Sequence, residues 1–390
     1  MIHSRIRMFA FVLAVALTLA SFGPGAQGTR AQPQPIFTNA KAAALIDVTS
    51  GRLLYSQRGD ESMLIASLTK IMTAIVAIEH GELSDIVKTS TRAAGKEGSS
   101  IYLKAGEEMS LEHMLYGLML RSGNDAATAI AEHVGGSEEG FVHLMNEKAI
   151  WLGLEHTHFM NPHGLDHEEH YSSANDLAKL TAYALHNEVF REIVKTKQKS
   201  VPNPNEEWDH QWRNKNKMLS MYEGADGVKT GYTKKALRTL VSSATRNGQQ
   251  LVAVTLNDGD DWRDHRKLLD WGFASYPLTT LVEQGQRIAG TAYRLSRSFQ
   301  YPLAEEEQDQ IRRKLVLTDT ASADYRLGER GALALFLGER PLGTVAVETA
   351  EAAFAEAAAQ PGAGKAAAFA RSAAPGFASM LQQVVRQLFR

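Results

Sequence analysis

Leu237–Thr245 and Gln250–Asn257 alternate like β-strands around Asn247-Gly248, the strongest short hairpin signal in the chain. A second strand-like pair, Ala43–Val48 and Arg52–Ser56, flanks Thr49-Ser50-Gly51 far upstream. The periodic segments between the two pairs have helical spacing. In Ser67–His80, Ile71, Ile75 and Ile78 recur three and four residues apart, and Gly81 supplies a stop. Leu111–Leu120, Asp125–Val134, Glu138–Leu152 and Asn175–Asn187 also fit helices. Strands at both ends of a helical block predict one α/β domain over about residues 38–276. In it the first strands join the sheet made by the last ones.

Past Tyr276-Pro277 the pattern changes. Arg287–Leu295, Lys314–Leu317, Ala332–Leu337 and Thr344–Glu348 are short β-like runs separated by Gly, Pro and charged turns. They predict a smaller all-β domain over 277–350. Residues 351–376 form an Ala-rich linker. From Phe377 to Arg390 the apolar Phe377, Met380, Leu381, Val384, Val385, Leu388 and Phe389 keep to one side of a helix. That amphipathic segment suits a membrane interface, and packing on its own protein is the alternative. At the other end, His3, Arg5 and Arg7 precede the apolar run Met8–Ala20. The run is too short to span a bilayer core of about 30 Å. Residues 1–31 therefore read as a signal peptide cut between Ala26 and Ala31, with an uncleaved anchor as the alternative. Both readings place the chain outside the cytoplasm.

Composition narrows the chemistry. Hydrophobic residues make up 44% and charged residues 22%, which excludes a disordered or multi-span chain. A net charge of −2 offers no general field for nucleic acid. With no cysteine there is no disulfide, no thiolate metal site and no thiol nucleophile.

Ser67-Leu68-Thr69-Lys70 places a serine and a lysine one helical turn apart on one face. A lysine amine there can take the serine proton if burial or a neighbouring cation keeps it neutral. A capped helix with a solvated lysine would give the same four residues. Two further elements change the odds: Ser122-Gly123-Asn124 between helices, and Lys229-Thr230-Gly231 just before the late strands. Ser-x-x-Lys, Ser-Asp-Asn and Lys-Thr-Gly in this order mark penicillin-binding proteins and class A β-lactamases. Here Gly123 stands for the middle Asp. A second Ser-x-Asn, Ser173-Ala174-Asn175, reads as a helix cap because Asp176 follows.

On IASLTKIMTA around Ser67, LMLRSGNDAA around Ser122, NPHGLD at Asn161–Asp166 and DGVKTGYTKKA at Asp226–Ala236, the chain resembles the low-molecular-mass penicillin-binding proteins that are serine-type D-alanyl-D-alanine carboxypeptidases. LRTLVSSA, NKNKMLSM and VTLNDGDDW look closer to the sporulation type of spore-forming Gram-positive bacteria. The resemblance implies an antiparallel sheet flanked by helices, no cofactor and no metal. It implies that Ser67 attacks the carbonyl between two terminal D-alanines of a peptidoglycan stem peptide, that Lys70 is the general base, and that Ser122 relays a proton to the leaving amine. Asn124 is expected to bind the substrate amide or to fix Lys70. Lys229 and Thr230 are expected to bind the terminal carboxylate, Gly231 and Tyr232 to belong to the substrate-binding segment, and backbone N–H groups of Ser67 and Tyr232 to form the oxyanion hole. β-Lactams would acylate Ser67. The membrane surface is a partner through the last helix, at the extracytoplasmic or forespore membrane.

Lesser candidates are read more plainly. His163, His167 and His170 suit a polar surface loop better than a metal site, with His163 buttressing the active residues. Arg263 could assist the substrate carboxylate or form a surface ion pair. Trp208, Trp212 and Tyr222 suit packing. Two rivals remain: a β-lactamase of the same fold, against which no Glu-x-x-Leu-Asn segment follows Ser122, and a wall-binding scaffold with a dead site, against which all three motifs are intact.

Overall fold

A computed structural model describes residues 32–203 and 205–350. The signal segment, the Ala-rich linker and the C-terminal amphipathic segment lie outside the described residues. The chain divides into two units: one runs to Thr279 and takes in Tyr301–Asp309, and the other comprises Thr280–Gln300 and the residues from Gln310 onward.

The first unit is built on an antiparallel sheet. Strands β1 (Ala42–Asp47) and β2 (Leu53–Gln57) form the predicted first pair. Small hairpins β3 (Ile86–Lys88) with β4 (Glu108–Ser110), and β5 (Gln198–Val201) with β6 (His210–Arg213), lie apart from the main sheet. The chain then adds β7 (Ala225–Thr233), β8 (Leu237–Arg246) and β9 (Gln249–Leu256). The strand order is β2-β1-β9-β8-β7, so the earliest strand pairs with the last, Ala42 opposite Leu256 and Asp47 opposite Leu251. The sequence missed β7. The Lys-Thr-Gly segment is not ahead of the strands but inside this edge strand, which pairs Lys229 with Val241.

Every residue of β1 is buried, as a strand covered on both faces must be. Its side chains alternate between two cores. Ala42, Ala44 and Ile46 pack with the helix Lys70–His80, while Ala43 and Leu45 pack with Leu268 and Leu269 of the helix Asp261–Ser275. Burial of this apolar surface is the main stabilising term, at roughly 25 cal/mol per Å². Further helices include Leu111–Tyr116, Asn124–Gly135, Glu138–Trp151, Ala174–Ala184 and Glu188–Lys195. Ser173 Oγ accepts the Asp176 N–H at 3.1 Å, the predicted cap. Arg52 fastens the returning segment through Pro302 O at 2.7 Å and Glu307.

In the second unit, β11 (Tyr293–Leu295), β13 (Ile311–Leu317), β14 (Gly331–Leu337) and β15 (Arg340–Thr349) form an antiparallel sheet ordered β11-β15-β14-β13. Two strands that the sequence reading passed over, β10 (Leu278–Val282) and β12 (Phe299–Pro302), pair with each other.

Candidate active site

Ser67 lies not in the α-helix itself but in a 3₁₀ turn, Ala66–Thr69, that leads into Lys70–His80. The residue before it, Ala66, has φ of +50°, a left-handed conformation that costs a side chain energy and so needs support. A hydrogen-bond chain from the histidine-rich loop supplies that support. The Met160 N–H donates to His170 Nδ1 at 3.0 Å, so the ring proton is on Nε2. Nε2 faces Thr69 Oγ1 at 2.7 Å, and Thr69 Oγ1 donates to the Ala66 carbonyl at 2.9 Å. Burial first, then neighbouring cations, lower the His170 pKa to about 3, so the ring is neutral as this chain requires. Gly164 closes the same turn: a Cβ there would stand 2.0 Å from Ala66 O, and its φ is +86°.

Lys70 is fully buried. Its Nζ lies 3.2 Å from Ser67 Oγ, 2.7 Å from Asn124 Oδ1 and 2.5 Å from the His163 carbonyl. A neutral amine has two N–H bonds and one lone pair. Two carbonyl oxygens take the N–H bonds, and the lone pair is left for the Ser67 hydroxyl. Burial first, then the Lys229 and Lys215 charges, push the Lys70 pKa well below that of an ordinary lysine. Lys229, buried in β7, donates to Ser122 Oγ at 3.0 Å and to the Thr230 carbonyl at 2.8 Å. Burial, then Lys215, lowers its pKa to about 7.

Ser122 follows a π turn, Gly117–Arg121, and itself adopts φ 65° and ψ 35°. That left-handed step separates the turn from the helix Asn124–Gly135 and sets Ser122 Oγ before Lys229. Asn124 is held from both ends, its Nδ2 donating to Glu97 O at 2.7 Å and its Oδ1 accepting from Lys70. Asp125 beside it is buried and gathers the N–H groups of Ile101 and Leu103 at 3.1 Å and the Ser100 hydroxyl at 2.6 Å. This ties the loop over the site to the Ser-Gly-Asn helix, a role that nothing in the sequence reading assigned.

Gly231 lets β7 approach Ser67. A Cβ there would lie 2.4 Å from Thr239 Oγ1 and 3.0 Å from the Ser67 backbone N. A cavity of about 390 Å³ opens at this point. Ser67, Ser122, Thr230, Gly231 and Tyr232 line it, with Ser99, Lys215, Arg238, Asp261 and Trp262. The structure thus brings all eight predicted residues into one region, Lys70, Asn124 and Lys229 directly behind the lining. Arg263 is elsewhere, in an exposed ion pair with Asp260. The guanidinium on the cavity wall belongs to Arg238, which Asp261 holds at 2.6 Å. Its placement on β8 opposite Tyr232 is a matter of strand register that the sequence reading did not work out.

The histidines correct the surface-loop expectation. His163 and His170 are buried, and only His167 is exposed. His163 serves through its carbonyl on Lys70, while its Nε2 stands 3.4 Å from Glu138 Oε1 without hydrogen-bonding geometry. Burial raises the Glu138 carboxyl, but His163, Lys96 and Arg92 outweigh it and hold the pKa at about 2. Trp212 and Tyr222 pack inside, as expected, whereas Trp208 is exposed.

Comparison with known proteins agrees with this geometry. The family profile described as D-alanyl-D-alanine carboxypeptidase matches residues 27–260. D-alanyl-D-alanine carboxypeptidase DacF of Bacillus subtilis is 34% identical over 345 residues, covering 83% of this chain and 88% of that protein. DacC of Escherichia coli is 34% identical over 282 residues, 67% of this chain and 68% of its own. Among solved structures, penicillin binding protein 5 from Haemophilus influenzae superposes with a TM-score of 0.66 at 27% identity, covering 81% of this chain and 97% of that one. A serine and a buried lysine in hydrogen-bond reach, a second buried lysine on an edge strand, and a family match across most of the first unit lead to one conclusion: the chain belongs to the serine-type D-alanyl-D-alanine carboxypeptidases, the low-molecular-mass penicillin-binding proteins.

Proposed function

We propose that Ser67, Lys70, Ser122 and Lys229 carry the removal of the terminal D-alanine from stem pentapeptides. The contact between Lys70 Nζ and Ser67 Oγ, inside a buried pocket that lowers the amine's proton affinity, carries this reading. Lys70 takes the Ser67 proton as Oγ attacks the carbonyl of the penultimate D-alanine. The Ser67 and Tyr232 N–H groups hold the oxyanion, a term worth about 3–4 kcal/mol per donor in other acyl transferases. Ser122 passes a proton to the leaving amine and D-alanine departs. Water then hydrolyses the Ser67 ester. Protonated Lys229, with Thr230, holds the substrate carboxylate, and Arg238 adds a second cation on the cavity wall. Asn124 accepts from Lys70 and fixes it.

Residues 1–31 export the chain, and 377–390 hold it to the extracytoplasmic face of the membrane. The second unit serves as a spacer or partner platform. The LRTLVSSA, NKNKMLSM and VTLNDGDDW runs, with the match to the B. subtilis relative, support a place in spore-cortex synthesis.

The test is intact mass after adding benzylpenicillin, with D-alanine release from a pentapeptide measured in parallel. Wild type should form a lasting one-to-one adduct, Ser67→Ala none, and Lys70→Ala should acylate about 10²–10⁴ times more slowly. A fleeting adduct with fast penicillin hydrolysis would mean a β-lactamase. No adduct and no release would mean a dead site.

A further inference from the structure

Lys70 is aimed at Ser67 by the two carbonyl oxygens that take its N–H bonds, one on the Asn124 side chain and one on the His163 backbone. Followed outward, both lead to the same carboxylate. Glu138 begins the helix Glu138–Trp151 and is only 6% exposed. Burial favours its neutral form, but His163, Lys96 and Arg92 outweigh burial, so the group is charged at neutral pH.

The first arm runs through the His163 ring. The Leu165 N–H donates to Nδ1 at 3.3 Å, which leaves the ring proton on Nε2. Nε2 is buried, lacks a hydrogen-bond partner among the described residues, and stands 3.4 Å from Glu138 Oε1. The carboxylate attracts this N–H dipole at low dielectric and steadies the ring. The ring in turn steadies the carbonyl of the same residue, which accepts from Lys70. The second arm runs through a loop. Lys96 Nζ lies 3.3 Å from Glu138 Oε2, and Arg92 of the short helix Thr91–Ala94 lies 3.0 Å from the same oxygen. The residue after Lys96 is Glu97, whose carbonyl accepts from Asn124 Nδ2 at 2.7 Å. Two residues on, the Ser99 carbonyl accepts the Asn124 N–H at 2.7 Å. Asn124 Oδ1 then meets Lys70.

We propose that Glu138 is a positioning residue for Lys70: one buried carboxylate fixes both carbonyl oxygens that orient the amine toward the Ser67 hydroxyl. Glu138 is not part of the Ser67 cavity lining, so it acts only through other residues. Its charge is not what Lys70 feels. The charges that bear on that amine belong to Lys229, Lys215 and Asp125, while Lys96 and Arg92 balance Glu138 where it stands. What Glu138 supplies is alignment, and small misplacements of a reacting group are costly. The inference rests on Lys70 being the base for Ser67.

Rapid-mixing acylation by benzylpenicillin, carried to saturation, separates the noncovalent Kd from the acylation rate constant. Glu138→Gln keeps the side-chain volume and removes the charge. It should lower the rate constant roughly tenfold and leave Kd within about twofold of wild type. Glu138→Gln combined with Lys96→Met, which leaves no stranded lysine, should be equally slow. Lys96→Met alone cuts only the Asn124 arm and should lose about threefold, whereas Lys96→Arg should keep the wild-type rate. The two Lys96 variants read the tether even where Glu138→Gln does not fold. An unchanged rate constant in folded Glu138→Gln, or in Lys96→Met, overturns the proposal. Recovery of the rate in the combined variant replaces it with a charge effect, and a loss confined to Kd replaces it with a general structural role. Wild-type acylation by Lys70→Ala would instead remove the base reading, and the positioning role with it.

Discussion

Replacing Lys229 with methionine removes a buried amine while keeping most of the side-chain volume. In the folded protein the Lys229 pKa is about 7, against 10.5 for an ordinary lysine. The folded state therefore holds fewer protons than the unfolded state between these two values, and stability rises with pH across that window. Each pH unit contributes about 1.4 kcal/mol. From pH 7.5 to 9.5 the wild type should gain about 2–3 kcal/mol on Lys229→Met, whatever the absolute difference between them. The absolute difference mixes the burial cost of the charge with the stranded Ser122 hydroxyl and Thr230 carbonyl, so the slope is the sharper quantity. Urea unfolding of both proteins, followed by tryptophan fluorescence at the two pH values, reads it directly. Above pH 7.5 folded Lys229 is largely uncharged, so Lys70 meets the same burial with little change of charge in both proteins and its own titration largely cancels. Parallel stability curves would refute the reasoning. They would mean that Lys229 keeps an ordinary pKa inside the fold, and that the site does not tune its lysines by burial.

Two further outcomes are expected. Gly231→Ala should slow penicillin acylation at least tenfold, because the new methyl meets Thr239 Oγ1 and the Ser67 N–H. Adding Thr239→Ala should recover thermal stability but not acylation, and recovery of both would show that the approach of β7 to Ser67 is not what matters. Deleting Phe377–Arg390 should release the protein from sedimenting membranes with D-alanine release intact, and unchanged sedimentation would remove the anchor.

Local signals were legible in the chain because they act over a few residues. Ser67 and Lys70 are neighbours on any helical turn, Ser173 caps the helix that follows it, and Asn247-Gly248 makes a hairpin wherever it lies between strands. The order of the three motifs was enough to place the family. What they do to each other was decided by folding. Lys229 reaches Ser122 across 107 residues of sequence, and the two lysines lose proton affinity because the fold excludes water around both and brings other cations near them. His170 is neutral and structural for the same reason, and its pattern in PHGLDHEEH could not reveal burial. Strand β7 was overlooked because its two glycines, aspartate and lysine weaken any strand signal, and only pairing with β8 makes it a strand. Register then chose Arg238 over Arg263 for the cavity wall. Composition and spacing report what a chain contains within a turn or two. Solvent exclusion, charge proximity and register are properties of residues far apart, and these set the chemistry of this site.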